Sequence, residues 1–249
     1  MSEKSDAVKD NQKQTLHLPS LTIGAIIPVI CITIIFFGIE GISEPSEPLI
    51  EKQLIEEPKK PGEITLATFF DNGSPILGDP NAPITLIEFG DYQCHFCNVY
   101  YHNTEHEIFK EYVMTGKVNI IFKDYTIIGP DSTIAALGAH CAGEQGKFWE
   151  YHNTLFDNWN GENNGWAGQE NIFRFAEKLE LNMDEFIECN IDERYEQKIS
   201  KSGNDAAILG ITGTPAFYII STNTQQVEFI SGAQPYDTFK KIFNSMLEN

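Results

Sequence analysis

Glu88-Phe89-Gly90-Asp91-Tyr92-Gln93-Cys94-His95-Phe96-Cys97 is the stretch whose reading decides the fold. Pro83 precedes a short apolar run, 84–89, which reads as a strand. Residues 94–115 read as a helix, because Val99, Tyr100, Ile108, Phe109, Tyr112 and Val113 recur at helical spacing. Two cysteines three apart at such a junction have a direct chemical use. The first sits at a helix N-terminus, where unpaired amides and the helix dipole stabilise a thiolate. The second lies one turn further in, within disulfide reach. Cys94 is therefore the expected exposed nucleophile and Cys97 the resolving thiol. His95 lies between them, where an imidazole can stabilise the thiolate further, and Phe96 offers an apolar contact. A low thiolate pKa stabilises the reduced form and makes the disulfide more oxidising.

Working outward from this stretch, 118–122 reads as a second strand, so the order begins β-α-β, the start of a mostly parallel sheet with covering helices. Helical patterns follow at 133–144, 147–156, 171–179 and 183 to about 209, the last broken; Asp131 or Ser132 is the expected cap of the first. The apolar runs 216–220 and 227–230 read as a hairpin. A final helix after Pro235 carries Phe239, Ile242, Phe243, Met246 and Leu247 on one face. The sum is an α/β split sandwich over residues 64–249, with a helical insertion at about 126–209.

Upstream, residues 1–20 form a short polar tail. Residues 21–39, LTIGAIIPVICITIIFFGI, carry no charge. At ~1.5 Å per residue they reach roughly 28 Å, close to the hydrocarbon thickness of a bilayer. No small-residue cleavage site follows them, so an uncleaved transmembrane anchor is expected. Lys9 and Lys13 before the span, against Lys52 after it, favour a cytoplasmic N-terminus and a catalytic domain outside. Residues 40–63, rich in Glu and Pro, read as an acidic extended linker. A formal charge of −19 over 249 residues argues against nucleic-acid binding.

Several other residues bear on the pair. Glu88, six residues before Cys94, alternates inward beneath the cysteine helix. A buried carboxylate there has a raised pKa and can take the proton of the resolving thiol. Gly213-Thr214-Pro215 stands just before a strand, a position that suits proline. Cys141 and Cys189 lie on different predicted helices of the insertion and are expected to form a structural disulfide, because compartment and cysteine parity agree; the alternatives are two buried free thiols and a second redox pair that relays electrons. His102 and His106 complete a Cys-x2-Cys-x4-His-x3-His spacing that resembles a zinc knuckle. At about 100° per residue, however, both histidines point away from Cys97 on a single helix. No metal is therefore assigned.

The quoted stretch, together with Cys141-Ala142-Gly143-Glu144-Gln145-Gly146-Lys147-Phe148-Trp149 and Gly213-Thr214-Pro215-Ala216-Phe217, resembles the DsbA-like thioredoxin family over about residues 75–249. That resemblance implies a thioredoxin fold with a helical insertion and thiol–disulfide exchange on extracytoplasmic proteins, with no metal or organic cofactor. It implies a cis proline at Pro215 beside the cysteines and a Thr214 backbone that binds substrate peptide. It also places Lys123 where relatives often carry a base able to pair with the buried acid. The implied partners are reduced protein thiols as substrate and a membrane quinone-linked thiol oxidase as re-oxidant. One departure is chemical: the best-known oxidases of this family have proline after the first cysteine and histidine before the second, whereas here the pair is His95-Phe96.

Two rival readings use the same residues. A reductase or isomerase would run the exchange in the other direction, and a thioredoxin-like reduction potential would favour it. A metal-binding or metallochaperone module would hold stoichiometric metal through Cys94, Cys97 and a histidine, and would lack dithiol turnover.

Overall fold

A computed structural model of the protein describes residues 63–248. The polar tail, the apolar span 21–39 and the linker up to residue 62 lie outside the described residues. Among the described residues, no helix is long and apolar enough to cross a membrane.

Strand β1 (Ile84–Gly90) is buried along its whole length, and so is β2 (Val118–Asp124). Both faces of these strands are covered, which explains their nearly continuous apolar character. β3 (Ala216–Ser221) and β4 (Val227–Ser231) complete a sheet of order β2-β1-β3-β4. β1 pairs parallel with β2, but β1–β3 and β3–β4 are antiparallel. The sheet is thus mixed, not mostly parallel. The strand after the insertion returns beside β1 in the reverse direction, and the short 222–226 connection then forces a hairpin.

Register sorts the side chains to the two faces. Glu88 lies between Phe122 and Phe217, while Phe89 lies between Lys123 and Ala216. The Glu88 face packs under the cysteine helix and α9 (Tyr236–Leu247), with Tyr100, Phe217, Phe239 and Phe243 in its core. The opposite face packs Ile87, Phe89 and Ile121 against Phe69 of α1 (Leu66–Phe70) and Ala206.

The helix after the cysteines is not a uniform α-helix. α2 (His95–Tyr100) runs into a π-helical turn, Tyr101–Glu105, then α3 (His106–Ile108) and a second π-helical stretch, Phe109–Val113. Wider turns of this kind are frequent at functional sites.

The insertion consists of α4 (Pro130–Glu144), α5 (Phe148–Asp157), α6 (Gln169–Lys178), α7 (Met183–Ile191) and α8 (Glu196–Ile208). α4 begins earlier than expected. Gly129 precedes it and Pro130 holds its first position, where a missing N–H costs nothing, so neither Asp131 nor Ser132 is its cap. Residues 183–209 do divide, because Asp192 to Tyr195 turn the chain between α7 and α8. Cys141 on α4 and Cys189 on α7 are joined as a disulfide with Cα atoms 5.8 Å apart. Around it pack Tyr151, Phe156, Phe175 and Phe186, in a core that extends to Cys94 and Cys97.

Candidate active site

The loop that delivers the cysteines is held by Asp91 and Gln93. Gly90 ends β1 against the Phe122 ring, and a Cβ there would collide with it. Asp91 Oδ1 accepts from the Gln93 amide at 2.9 Å, and Oδ2 accepts from the Ile127 and Ile128 amides at 2.8 and 2.9 Å. Gln93 ties the loop to the insertion: its side chain donates to Ser132 Oγ at 2.9 Å and accepts from the Asn163 amide at 2.9 Å. Trp159 Nε1 donates to the Gln93 carbonyl at 2.9 Å. Neither Asp91 nor Gln93 was singled out by sequence reasoning, although both lie inside the quoted stretch.

Cys94 is the N-cap residue of α2. It is 4 % exposed, so the expectation of an exposed nucleophile needs correcting. The Gly213-Thr214-Pro215 loop covers it: the Thr214–Pro215 peptide bond is cis, and the Cys94 thiol donates to the Thr214 carbonyl at 3.3 Å. What stands exposed is its neighbour Phe96, at 59 %. The His95 ring packs on Phe96 and Trp159, and its amide donates to Glu162 Oε1 at 3.0 Å.

The two sulfurs are electrostatically unlike. Hydrogen bonding from the Cys97 side chain, helped by Thr214 and by the Phe96 and Cys97 amides, outweighs burial and lowers the Cys94 pKa to about 6. Cys97 is fully buried, and burial first, then Cys94 and Glu88, push its thiol well above the usual range. One thiol ionises near neutrality while its partner holds its proton, as a nucleophile and a resolving thiol require.

Glu88 is 2 % exposed, and its Oε1 has no hydrogen-bond partner among the described residues. Burial, then the Glu105 carboxylate, then Cys94, raise its pKa well above the usual carboxylate range. Lys123 does not pair with it. Register places Lys123 on the other face of the sheet, where its Nζ lies 2.8 Å from Asp205 Oδ2 and donates to the Thr68 and Asp71 carbonyls. The acid beneath the cysteines is therefore accompanied by a second acid, Glu105, whose pKa burial pushes up to about 8. His152 Nε2 is 3.9 Å from Glu105 Oε1, and its Nδ1 is 3.0 Å from the Tyr92 hydroxyl. Burial lowers the His152 pKa to about 3, so the ring is neutral. Sequence reasoning missed Glu105 and His152. A uniform helical period gives no signal for the first, and the second needs the fold of the insertion.

His102 and His106 lie on the helix surface beside the Tyr101 ring, and His106 Nδ1 is 2.8 Å from the Tyr101 carbonyl.

Residues 71–244 match the family profile described as Thioredoxin. Disulfide bond formation protein D of Bacillus subtilis is 27 % identical over 150 residues, 59 % of this chain and 68 % of that protein. The Na(+)/H(+) antiporter NhaA 1 of Salinispora arenicola is 29 % identical over 148 residues, 58 % of this chain, but the chain spans only 21 % of that protein. Among solved structures, α-DsbA1 of Wolbachia pipientis superposes with a TM-score of 0.62 at 27 % identity, covering 70 % of this chain and 90 % of that one. With a cysteine pair of opposed acidities at a strand-to-helix junction, the chain belongs to the thioredoxin family and is a DsbA-like thiol–disulfide oxidoreductase.

Proposed function

We propose that this protein introduces disulfides into reduced, unfolded proteins outside the cytoplasm, with Cys94 as nucleophile and Cys97 as resolving thiol. The observation that carries this reading is the opposed acidity of the two thiols, about 6 for Cys94 against a strongly raised value for Cys97. A stabilised thiolate favours the reduced pair, so the disulfide gives up its oxidising equivalents readily.

A substrate thiolate attacks Cys94 Sγ of the Cys94–Cys97 disulfide. The S–S bond breaks, Cys97 leaves as a thiolate, and the Glu88 carboxyl gives it a proton. A second substrate thiolate then attacks the substrate sulfur of the mixed disulfide and expels Cys94 as a thiolate. The substrate has lost two electrons and the enzyme has gained them. Phe96, at 59 % exposure, supplies apolar contact to an unfolded chain, and the Thr214 backbone beside Pro215 lies where a peptide reaches Cys94. The Cys141–Cys189 disulfide holds α4 to α7 and takes no part in exchange.

The apolar segment 21–39 supports a single-pass membrane anchor with a cytoplasmic N-terminus, and 40–63 an acidic tether to the catalytic domain. A quinone-linked thiol oxidase of the same membrane fits as the re-oxidant, removing two electrons per turnover as the Cys97 proton is released.

The test is the reduction potential of Cys94–Cys97, with two variants. A value well above the ~−270 mV of thioredoxin, toward the oxidising end of the family, is expected. Cys94→Ser abolishes oxidation of a dithiol peptide, and Cys97→Ser traps mixed disulfides. A thioredoxin-like potential overturns the direction, and retained turnover in Cys94→Ser overturns the mechanism.

A further inference from the structure

Each reduction of the disulfide requires one proton to reach Cys97, and each re-oxidation requires one to leave. Cys97 is fully buried, and the substrate occupies the Cys94 side of the helix. Glu88, beneath Cys97, has no opening of its own: it is 2 % exposed and flanked in the sheet by Phe122 and Phe217. The proton therefore needs a second route.

Glu105 lies on that route. It is 6 % exposed, and it lines a cleft of about 410 Å³ together with Tyr101, His106, Phe109, Trp149 and a further acid, Glu150. Its charge opposes the ionisation of Glu88, whose buried Oε1 has no hydrogen-bond partner among the described residues. On a uniform α-helix Glu105 would stand roughly 80° around from Cys97, eight residues on. The π-helical turn Tyr101–Glu105 rotates each residue less and brings the carboxyl back toward the sheet. Several groups frame the pair. Tyr100 and Tyr101 come from the same helix, Tyr92 from the loop, and neutral His152 from α5 with Nε2 3.9 Å from Glu105 Oε1. Asp124, whose charge reaches Tyr92, is engaged by His140 Nε2 at 2.7 Å. No lysine or arginine is among the groups that shift Glu88 or Glu105. Two carboxyls that repel each other and lack a cation share protons instead of both ionising.

We propose that Glu105 is a proton-relay residue, passing a proton between water in the Trp149 cleft and Glu88 while the substrate closes the opposite side. The proposal rests on Glu88 as proton donor to Cys97. When Cys97 leaves as a thiolate, Glu88 gives it a proton and becomes a carboxylate. Glu105 then gives its proton to Glu88 and regains one from cleft water. Re-oxidation runs the same transfers backwards, with no net charge left inside. His152, neutral, lies with its Nε2 3.9 Å from Glu105 Oε1 and does not change charge itself.

The experiment is single-turnover reduction of the oxidised full-length protein by excess dithiothreitol, quenched by alkylation, between pH 5 and 8.5. It compares the wild type with Glu88→Gln, Glu105→Gln and Glu105→Asp. Both glutamines are expected to slow reduction by about tenfold or more and to flatten its pH profile, while Glu105→Asp recovers most of the rate. A second variant, Asn153→Trp, fills the mouth of the same cleft and is expected to slow reduction with Glu105 intact. If Glu88→Gln slows reduction but Glu105→Gln and Asn153→Trp do not, the relay is wrong and Glu88 stands. If neither glutamine slows it, both fall. If Glu105→Gln slows it with an unchanged pH profile and Glu105→Asp fails to recover it, Glu105 is structural and the relay is overturned.

Discussion

The Cys94 sulfur lies 3.3 Å from the carbonyl oxygen of Thr214, across 120 residues of sequence. The nucleophile is thus set by two separate pieces of chain, the N-terminus of α2 and the loop before β3. The Thr214 hydroxyl is buried there with no hydrogen-bond partner among the described residues, and Thr214 is among the groups that lower the Cys94 pKa.

Thr214→Val keeps the branched shape and removes the hydroxyl donor. The Cys94 pKa is expected to rise above about 6, and the disulfide to become roughly tenfold less oxidising, the worth of one charge-assisted hydrogen bond. Ultraviolet titration of the thiolate and equilibration with glutathione measure the two effects. No change in either would mean that Cys97 and the helix amides suffice.

Redox state and pH should act together on stability. Folding lowers the Cys94 pKa from 9.0 to about 6, so between those values the unfolded reduced chain binds more protons than the folded one. Stability of the reduced form therefore rises with pH across this window, and the gain is lost as pH falls through about 6. Cys97, whose folded pKa is raised, opposes this only once the unfolded thiol ionises at higher pH. The Tm of the reduced protein minus that of the oxidised protein is expected to increase from pH 5.5 to 8. A flat or falling difference contradicts it.

Replacing Cys141 and Cys189 together by alanine opens a loop of sequence separation 48. The chain-entropy treatment gives a loss of about 4 kcal/mol, a Tm drop on the order of 10 °C for a domain of this size. Dithiol oxidation below the new Tm should persist, because Cys94 and Cys97 remain. Loss of turnover in the folded variant would instead make the second disulfide part of the electron path.

Lys123→Met is expected to cost about 3 kcal/mol, because it strands two backbone carbonyls and leaves Asp205 with Asn72 Nδ2 but no cation. It should leave the reduction potential unchanged, since Lys123 and Glu88 occupy opposite faces of the sheet. A changed potential would show that the lysine senses the cysteines despite that separation. Urea melts and glutathione equilibration provide the two readings.

Much of the architecture was readable in residue order. Strands 84–89, 118–122, 216–220 and 227–230 carry apolar runs bounded by turn residues, and each appears within a residue or two of its observed bounds. The helix boundary at 145–146 was visible because Gly146 interrupts the pattern, whereas 183–209 read as broken without showing where; the turn at 192–195 comes from the structure. Strand direction was less visible. Apolar runs do not encode whether β3 returns parallel or antiparallel, and that depends on how the insertion carries the chain around the sheet.

By itself, the sequence determined the chemistry at the centre: two cysteines three apart after a strand, with an acid six residues upstream and Thr214-Pro215 far downstream. Local periodicity and spacing suffice for that, because strand alternation and a helix N-terminus are short-range properties. Only the tertiary structure decided which groups meet. It closed the Thr214 loop over Cys94, sent Lys123 to Asp205 instead of Glu88, and brought Glu105 and His152 together. Those outcomes depend on strand register, on a π-helical turn that shifts the phase of a helix, and on side chains more than forty residues apart. Such groups are brought together by burial in three dimensions, which no pattern along the chain records.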